Sequence, residues 1–158
     1  MIDFSRAVEF VLDEEGGFVD DPQDPGGATN WGISQRAYPK LNIKTLTRDQ
    51  AIAIYQRDYW DNLPTLPGRL QFLVFDFAVN AGIRRAVQTL QSAIGVSPDG
   101  YFGPVSRSAL RKIPEINACV LFTAERANAY GHFAGFPRFG RGWMRRTVRA
   151  FHEATKDA

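Results

Sequence analysis

Residues 14–34 read EEGGFVDDPQDPGGATNWGIS, a stretch with five acidic residues, five glycines, two prolines and no basic residue. It follows an apolar pattern at helical spacing, formed by Phe4, Ala7, Val8, Val11 and Leu12. This pattern predicts a helix over 4–14 that the glycine pair at 16–17 ends, so Glu15 is expected at the helix C-terminus. The loop beyond it is expected to form at most a short β-ribbon within 17–34.

The rest of the chain has the pattern of helices joined by short turns. Thr47, followed by Gln50 three residues later, is typical of a capping box and predicts a helix that runs to about residue 61. Apolar residues at helical spacing predict five more helices, over 70–81, 87–94, 104–112, 115–134 and 142–154. The stretch GFPRFGRG (135–142) is predicted to be a bend. The fold class is therefore mainly α, and 158 residues without a low-complexity linker favour one globular unit.

Charge is distributed unevenly along the chain although the net charge is only +2. Residues 1–24 hold eight acidic residues and one base, Arg6. Five arginines lie in one C-terminal stretch without an acid: Arg138, Arg141, Arg145, Arg146 and Arg149. Such a stretch is either a solvated helix face or a surface for an anionic partner, and both interpretations stay open.

Several classes of protein and site are disfavoured by the sequence. No run approaches the roughly 18 apolar residues of a membrane helix, and Asp3, Arg6 and Glu9 interrupt what would be the core of a signal peptide. One cysteine, Cys119, rules out an internal disulfide and a multi-cysteine metal site, and we expect it to be buried. The motifs G-x-S-x-G, H-E-x-x-H and the phosphate loop are missing, so serine or zinc hydrolysis is not indicated.

The acidic loop has residues suited to cleaving a glycosidic bond. That reaction needs a carboxylic acid that protonates the leaving oxygen and commonly a second carboxylate near the anomeric carbon. A carboxyl at a helix C-terminus beside apolar side chains is poorly stabilised as an anion, which suits Glu15 to the first role. Asp24 is a candidate for the second role, while Thr29 and Asn30 carry short polar side chains that can orient a water.

Other interpretations of the same loop stay open at this stage. Gly after a helix, D-P and P-G-G are common turn sequences, so the loop can be purely structural. Asp20, Asp21 and Asp24 are also hard oxygen ligands of the kind that calcium prefers, although the spacing of an EF-hand is missing. Asp20 and Asp21 compete with Asp24 for the role of second carboxylate.

The order of residues in E-G-G-F-x-D-D-P-x-D-P-G-G-A-T-N-W-G-I resembles the signature of glycoside hydrolase family 108. This family comprises N-acetylmuramidases of phage endolysins and of bacterial cell-wall hydrolases associated with secretion. Three later blocks resemble the family in the same order: YQRDYWDNL (55–63), FDFAVNAG (75–82) and RFGRGWMRR (138–146). LQSAIGVSPDGYFGPVSRSAL (90–110) is similar to the predicted peptidoglycan-binding region that accompanies the catalytic part.

The resemblance implies a lysozyme-like single domain and assigns roles to individual residues. Residues 1–88 would form the catalytic region, and residues 89–158 a peptidoglycan-binding region packed in the same globular unit. The family's catalytic glutamate falls on Glu15, whereas Glu14 is expected to be solvated. The order Glu, Asp, Thr of phage lysozymes falls on Glu15, Asp24 and Thr29, although the interval between the last two is one residue shorter than usual.

Further residues are candidates for contact with the saccharide. Trp31, Tyr59 and Trp60 carry aromatic faces that stack on sugar rings, although aromatics in helices are also common in cores. Asn80 is interpreted as an amide on a buried helix that either binds an acetamido group or bonds within the core. Asp76 is interpreted either as a carboxylate that supports the site or as a helix cap.

The expected function is therefore that of a peptidoglycan hydrolase, an endolysin-type lysozyme, which needs no cofactor and no metal. We expect a monomer that is made in the bacterial or host cytoplasm and acts on the cell wall in the periplasm. A holin or an export membrane protein would provide access. The Arg-rich C-terminal stretch is expected to contact the anionic envelope, not nucleic acid. The alternative is a peptidoglycan-binding or structural protein that keeps the groove without cleaving the glycan.

Overall fold

Seven α-helices and a two-stranded β-ribbon make up the part of the chain that the structure, a computed structural model, describes, namely residues 2–20 and 27–157. The helices are α1 (Phe4–Glu15), α2 (Arg48–Asp58), α3 (Gly68–Ala81), α4 (Ile83–Ala93), α5 (Pro104–Leu110), α6 (Glu115–Gly131) and α7 (Phe136–Thr155). The strands are β1 (Thr29–Asn30) and β2 (Ile33–Ser34), and short 3-10 turns cover Ile43–Thr45 and Trp60–Asn62. The predicted mainly α class with a small β-ribbon is confirmed.

Local capping determines where the first two helices begin and end. Asp3 accepts a hydrogen bond from the Arg6 N–H at 3.1 Å, and Gly16, whose φ is +73°, caps the other end of α1. The capping box at α2 is present: the Gln50 N–H donates to the Thr47 hydroxyl at 3.2 Å, and the Thr47 N–H donates to the Gln50 side chain at 2.9 Å. Both bonds satisfy amide donors that the first turn of a helix leaves free.

Helix α3 lies at the centre of the molecule. All nine residues from 70 to 78 are buried, and α3 packs against α1, α4, α6 and α7. Since a helix that is surrounded has no solvated face, apolar residues occur on every side of it. The buried core is continuous from Val8 in α1 to Ala150 in α7, and a division at residue 88 falls inside α4.

The bend predicted over 135–142 is wrong, because α7 already begins at Phe136. Pro137 lies in the first turn, where a missing N–H and a fixed φ do not disturb a helix. Gly140 is buried, and a methyl group there would lie 2.7 Å from the Phe136 ring. The glycine therefore allows close packing within the helix and does not end it.

A tight hairpin forms the last part of the acidic loop. Thr29 pairs with Ser34 and Asn30 with Ile33, and Trp31 and Gly32 form the two-residue turn between the strands. Both turn residues have positive φ, +53° and +75°, which is the requirement of a type I′ turn. This conformation is unfavourable for a bulky residue such as Trp31, so tertiary contacts must hold it.

Within residues 2–20 and 27–157, none of the helices has both the length and the apolar character needed to span a membrane.

Candidate active site

Glu15 is the last residue of α1, and its side chain is 24% exposed. The hairpin turn lies directly against it. A methyl group at Gly32 would lie 2.7 Å from Cγ of Glu15 and 2.5 Å from the hydroxyl of Tyr55. Only a residue without a side chain fits there, so the carboxyl of Glu15 emerges between α2 and the hairpin.

Tyr55 of α2 holds the hairpin in this position. Its buried hydroxyl donates to the carbonyl of Trp31 at 2.8 Å, and the indole N–H of Trp31 donates to the carbonyl of Leu46 at 3.3 Å. Burial raises the pKa of Tyr55, and the nearby negative charge of Glu15 raises it further. These contacts offset the unfavourable backbone conformation of Trp31 beside the carboxyl.

Arg146 of α7 contacts Glu15 across the molecule. Its Nη1 donates to the Glu15 carboxylate at 2.5 Å. The same guanidinium contacts one carboxylate oxygen of Asp76 twice, through Nε at 2.9 Å and Nη2 at 2.8 Å. Arg146 therefore bridges the partly exposed carboxylate at the end of α1 and a buried carboxylate in the middle of α3.

Asp76 is wholly buried and contacts a second arginine on its other side. Its Oδ2 lies 2.7 Å from Nη1 of Arg126, which is 1% exposed. The Arg126 guanidinium lies 5.3 Å from the ring centre of Phe77 and 5.5 Å from that of Tyr130, and both distances are in the cation–π range. We call the set Glu15, Arg146, Asp76 and Arg126 the buried ion-pair chain.

The buried ion-pair chain holds two carboxylates and two guanidiniums, so its formal charges balance. Burial alone would lower the pKa of Arg146, but the carboxylates of Asp76 and Glu15 outweigh it and raise that pKa above its usual value. The guanidinium of Arg146 therefore stays charged. Because burying unpaired charge is costly, each member of the chain depends on its neighbours.

The two polar residues of β1 make different hydrogen bonds. Thr29 lies half-buried in β1, and its main chain exchanges two hydrogen bonds of 2.8 Å with Val19. Asn30 is buried, and its amide N–H groups donate to the carbonyls of Ile43 and Leu46 at 3.1 and 3.3 Å. Asn30 was predicted to orient a water or contact the saccharide; in the structure its amide N–H groups anchor β1 to the 3-10 turn that follows.

The two aromatic residues that follow α2, both predicted to contact the saccharide, differ in their surroundings. Tyr59 is half-buried, and its pKa is raised by burial and then by the charges of Asp58 and Glu15, which places it in the electrostatic neighbourhood of the site. Trp60 instead packs on Phe4 and Phe75, with ring centres 5.5 and 5.3 Å away. Phe4 begins α1, about 16 Å from its other end at a rise of 1.5 Å per residue. Trp60 is therefore a partly buried residue packed against the core on the side of Phe4.

Asn80 is exposed, so its interpretation as a buried amide is wrong. It lies four residues after Asp76 and thus on the same face of α3, one turn closer to the helix C-terminus. Asp76 lies in the middle of α3 and caps neither of its ends. Of its two interpretations, that of a carboxylate supporting the site agrees with its contact to Arg146.

The acidic loop is described only in part. Asp21 and Asp24, the predicted second carboxylate, lie outside the described residues. Asp20 is exposed, and Phe18 is 42% exposed. Within residues 2–20 and 27–157, His, Cys, Asp and Glu side chains form no cluster of three that could hold a metal ion.

Glu14 was predicted to be solvated, and this prediction is wrong. Its side chain is only 11% exposed and lies 2.7 Å from Nη1 of Arg149, which is 65% exposed. Glu14 and Glu15 thus contact two arginines of α7 that are three residues apart, one near the surface and one buried. Arg146 is consequently not part of the exposed Arg-rich face, on which Arg138, Arg141 and Arg145 lie together with Arg149.

Sequence reasoning missed Arg126 and Arg146 as members of the site. One signal was present: in α6 and α7 these arginines occupy helix positions whose neighbours at helical spacing, Phe122 and Ala150, are buried apolar residues. An arginine at such a position needs a buried acid, and Asp76 within an otherwise apolar helix is the complementary signal. Which acid pairs with which arginine depends on helix packing.

A cavity of about 570 Å³ also lies beside α2, and neither Glu15 nor Arg146 contributes to its wall. Its lining includes Tyr38, Leu41 and Ile54. A largely apolar lining without an acid is unsuited to glycoside hydrolysis, so the candidate site is the one around Glu15.

The chain is similar to a known protein family and to a solved structure. The family model described as Glycosyl hydrolase 108 matches residues 8–82, which include Glu15 and Asp76. A solved structure from Brucella abortus, described as the structure of SagA, is similar with a TM-score of 0.82 and 34% sequence identity. That likeness covers 97% of this chain and 94% of the other. None of the curated proteins matches the sequence.

Proposed function

Because the chain belongs to glycosyl hydrolase family 108, we propose that it hydrolyses the β-1,4 bond between N-acetylmuramic acid and N-acetylglucosamine in peptidoglycan. In this proposal Glu15 is the general acid. The lysozyme-like fold brings the carboxyl to the end of a helix beside a hairpin.

The observation that carries the proposal is the setting of Glu15. It is a carboxyl at a helix C-terminus, a quarter exposed, and held from behind by Arg146. Gly32 lets the hairpin turn lie directly against Glu15 and Tyr55, and the other carboxylate of the buried ion-pair chain, Asp76, is wholly buried. Among the members of that chain, Glu15 is therefore the acid that a glycan can approach.

In the proposed reaction, the protonated Glu15 donates its proton to the glycosidic oxygen as the bond to the anomeric carbon breaks. Asp24 stabilises the positive charge that develops on the sugar or helps to place the attacking water. Thr29 orients that water through its hydroxyl. The resulting Glu15 carboxylate is stabilised at once by Arg146, at 2.5 Å. These steps need no cofactor.

Substrate contacts are proposed for residues around the carboxyl. Trp31 and Tyr59 are both half-buried, and their rings offer faces on which a sugar can stack. Asn80 is exposed and offers an amide for an acetamido group. Residues 89–158 are proposed to extend the contact with peptidoglycan, because Tyr101 and Val105 near the start of α5 are 72% and 73% exposed.

The exposed arginines of α7 support a contact with the anionic cell envelope. Arg138, Arg141 and Arg145 recur at intervals of three and four residues, which places them on one face of the helix. We also propose that the protein reaches the periplasm through a holin or an export membrane protein. It acts there as a monomer.

The competing function is binding of peptidoglycan without cleavage, and one experiment separates the two. Purified peptidoglycan is incubated with wild type, Glu15→Gln and Asp24→Asn, turbidity is followed, and the released fragments are identified by mass spectrometry. We expect fragments with reducing N-acetylmuramic acid ends from wild type. Glu15→Gln should lower the rate by at least two orders of magnitude, because general acid catalysis is worth about 10²–10⁴-fold.

Glu14→Gln is the matched control, since it makes the same chemical change one residue away and should retain cleavage. Each variant is also tested for sedimentation with the cell wall. A wild type that sediments with peptidoglycan but leaves the glycan intact would identify a binding protein. Undiminished cleavage by a folded Glu15→Gln would assign the acid to another residue.

A further inference from the structure

The buried ion-pair chain contains a conflict if Glu15 is the acid of the proposed reaction. A general acid must carry its proton before the reaction, whereas an arginine at 2.5 Å favours the carboxylate. Arg146 is 8% exposed, so solvent screens this attraction only weakly. Another group must therefore limit how strongly Arg146 stabilises the Glu15 carboxylate.

Asp76 is placed to do this. Two of the three nitrogens of Arg146 that contact carboxylates point to Asp76, and only Nη1 points to Glu15. Asp76 is wholly buried and out of reach of bulk solvent, so its charge depends on the contacts with Arg146 and Arg126. Arg126 is held in turn by its contacts with the rings of Phe77 and Tyr130. The negative charge of Asp76 thus partly cancels the positive potential that Arg146 exerts at the Glu15 carboxyl.

We propose that Arg146 is a positioning residue that holds the Glu15 carboxyl in place, and that Asp76 sets how strongly Arg146 favours its charged form. This inference rests on the proposed function of Glu15 as the general acid. It predicts that removing Arg146 and removing Asp76 have opposite effects on the pH dependence of the enzyme, although both residues belong to the same chain of ion pairs.

The other charged and titratable groups near Glu15 do not reverse this argument. Tyr55 of α2 and Tyr59, the residue after α2, are near Glu15, and both have raised pKa values, so they are neutral at the pH of the reaction. On α1 the neighbouring acid, Glu14, is paired with Arg149 of α7. Within the described residues, Arg146 is thus the cation in direct contact with the Glu15 carboxylate.

The signs follow from the charges. Arg146→Met removes the cation that stabilises the Glu15 anion, so the acid keeps its proton to higher pH and the alkaline limb of the pH–rate profile moves up. Asp76→Asn leaves Arg146 with Glu15 as its remaining anion and removes a repelling negative charge, so the alkaline limb moves down. One opposite charge at contact distance corresponds to a displacement of about one pH unit or more.

The test measures kcat/KM against pH on a soluble glycan fragment of peptidoglycan for wild type, Arg146→Met and Asp76→Asn. Arg69→Met is the matched control. The Arg69–Glu115 ion pair at 3.3 Å joins α3 to α6, as the Asp76–Arg126 pair does, but lies outside the buried ion-pair chain. Its profile should stay within a few tenths of a pH unit of wild type. Arg146→Lys keeps the positive charge but cannot make all three contacts of the guanidinium with Asp76 and Glu15. It should lower kcat/KM but displace the alkaline limb less than Arg146→Met does.

A second readout does not depend on activity. Protein labelled with ¹³C at glutamate carboxyls is titrated by NMR, with Glu15→Gln used to assign the signal. The pH at which the Glu15 carboxyl takes up its proton should rise in Arg146→Met and fall in Asp76→Asn. Near-ultraviolet circular dichroism confirms that each variant is folded. If Asp76→Asn does not fold, the titrations of Arg146→Met and Arg146→Lys decide the question.

The inference is overturned if the two variants move the limb and the titration in the same direction, or if Arg146→Met is folded and moves neither. Lower rates with unchanged profiles would mean that the chain is only structural. A wild type that does not cleave the glycan would refute the proposed function, while the NMR titration would still test the effect of Arg146 and Asp76 on Glu15. The two failures are therefore distinguishable.

Discussion

Replacing Gly32 with alanine should destabilise the protein and displace the catalytic candidate at the same time. Gly32 is the second turn residue of the hairpin, with a φ of +75°. A methyl group there would lie 2.5 Å from the Tyr55 hydroxyl and 2.7 and 2.9 Å from two side-chain carbons of Glu15. All three distances are well below van der Waals contact, so either the hairpin or Glu15 must move.

Two terms contribute to the cost. A left-handed backbone conformation costs a residue with a Cβ about 1–2 kcal/mol. Crowding in a packed region adds about 1–3 kcal/mol. The free energy of unfolding should therefore fall by about 2–5 kcal/mol, a large part of the 5–15 kcal/mol typical of a domain. The bond from Tyr55 to the Trp31 carbonyl, 2.8 Å long, should be lost or lengthened.

Gly95→Ala separates the two terms. Gly95 has nearly the same φ, +73°, but a methyl group there meets no other atom within 4 Å. It should show only the backbone cost, and its cleavage of peptidoglycan should equal that of wild type. Urea unfolding of both variants and of wild type gives the difference. If Gly32→Ala loses no more stability than Gly95→Ala and cleaves normally, the close approach of the hairpin to Glu15 is refuted.

Three further predictions concern the caps, an ion pair and the cysteine. Thr47→Ala should lower the free energy of unfolding by about 1 kcal/mol, because it removes the cap of α2, as measured by urea unfolding. The hydrogen bond from Arg57, with a second from Tyr38, holds the pKa of Asp58 below its usual range. A carboxyl of this kind stabilises the folded state above its unfolded pKa of about 3.9 and loses that contribution as the pH falls through its folded value. Asp58→Asn should therefore be less stable than wild type at pH 7, and the difference should shrink as the pH falls below about 3.9 in acid titrations of unfolding. Burial raises the pKa of the Cys119 thiol to about 12, so a thiol reagent at pH 8 should label it only when the protein unfolds.

The site was predictable where its position depends on neighbours in sequence. Glu15 could be placed at the end of a helix because a run of apolar residues and two glycines lie beside it. The role of Asn30 could not be predicted, because the carbonyls that accept its hydrogen bonds belong to residues 13 and 16 positions later. The packing of Trp60 could not be predicted for the same reason, since its partners Phe4 and Phe75 come from two other helices.

The sequence by itself determined that the chain is mainly helical and that a glutamate lies at the end of the first helix, but not where α7 begins. Caps and turns are contacts between residues within about four positions, and the burial of an apolar face follows from its spacing, so both are written locally. The packed structure alone decided that Arg146 contacts a residue 131 positions away and that Asp76 stands between two arginines. Such partners are brought together by the packing of α1, α3, α6 and α7 around a shared core, and many pairings of buried acids and bases are compatible with the same local pattern.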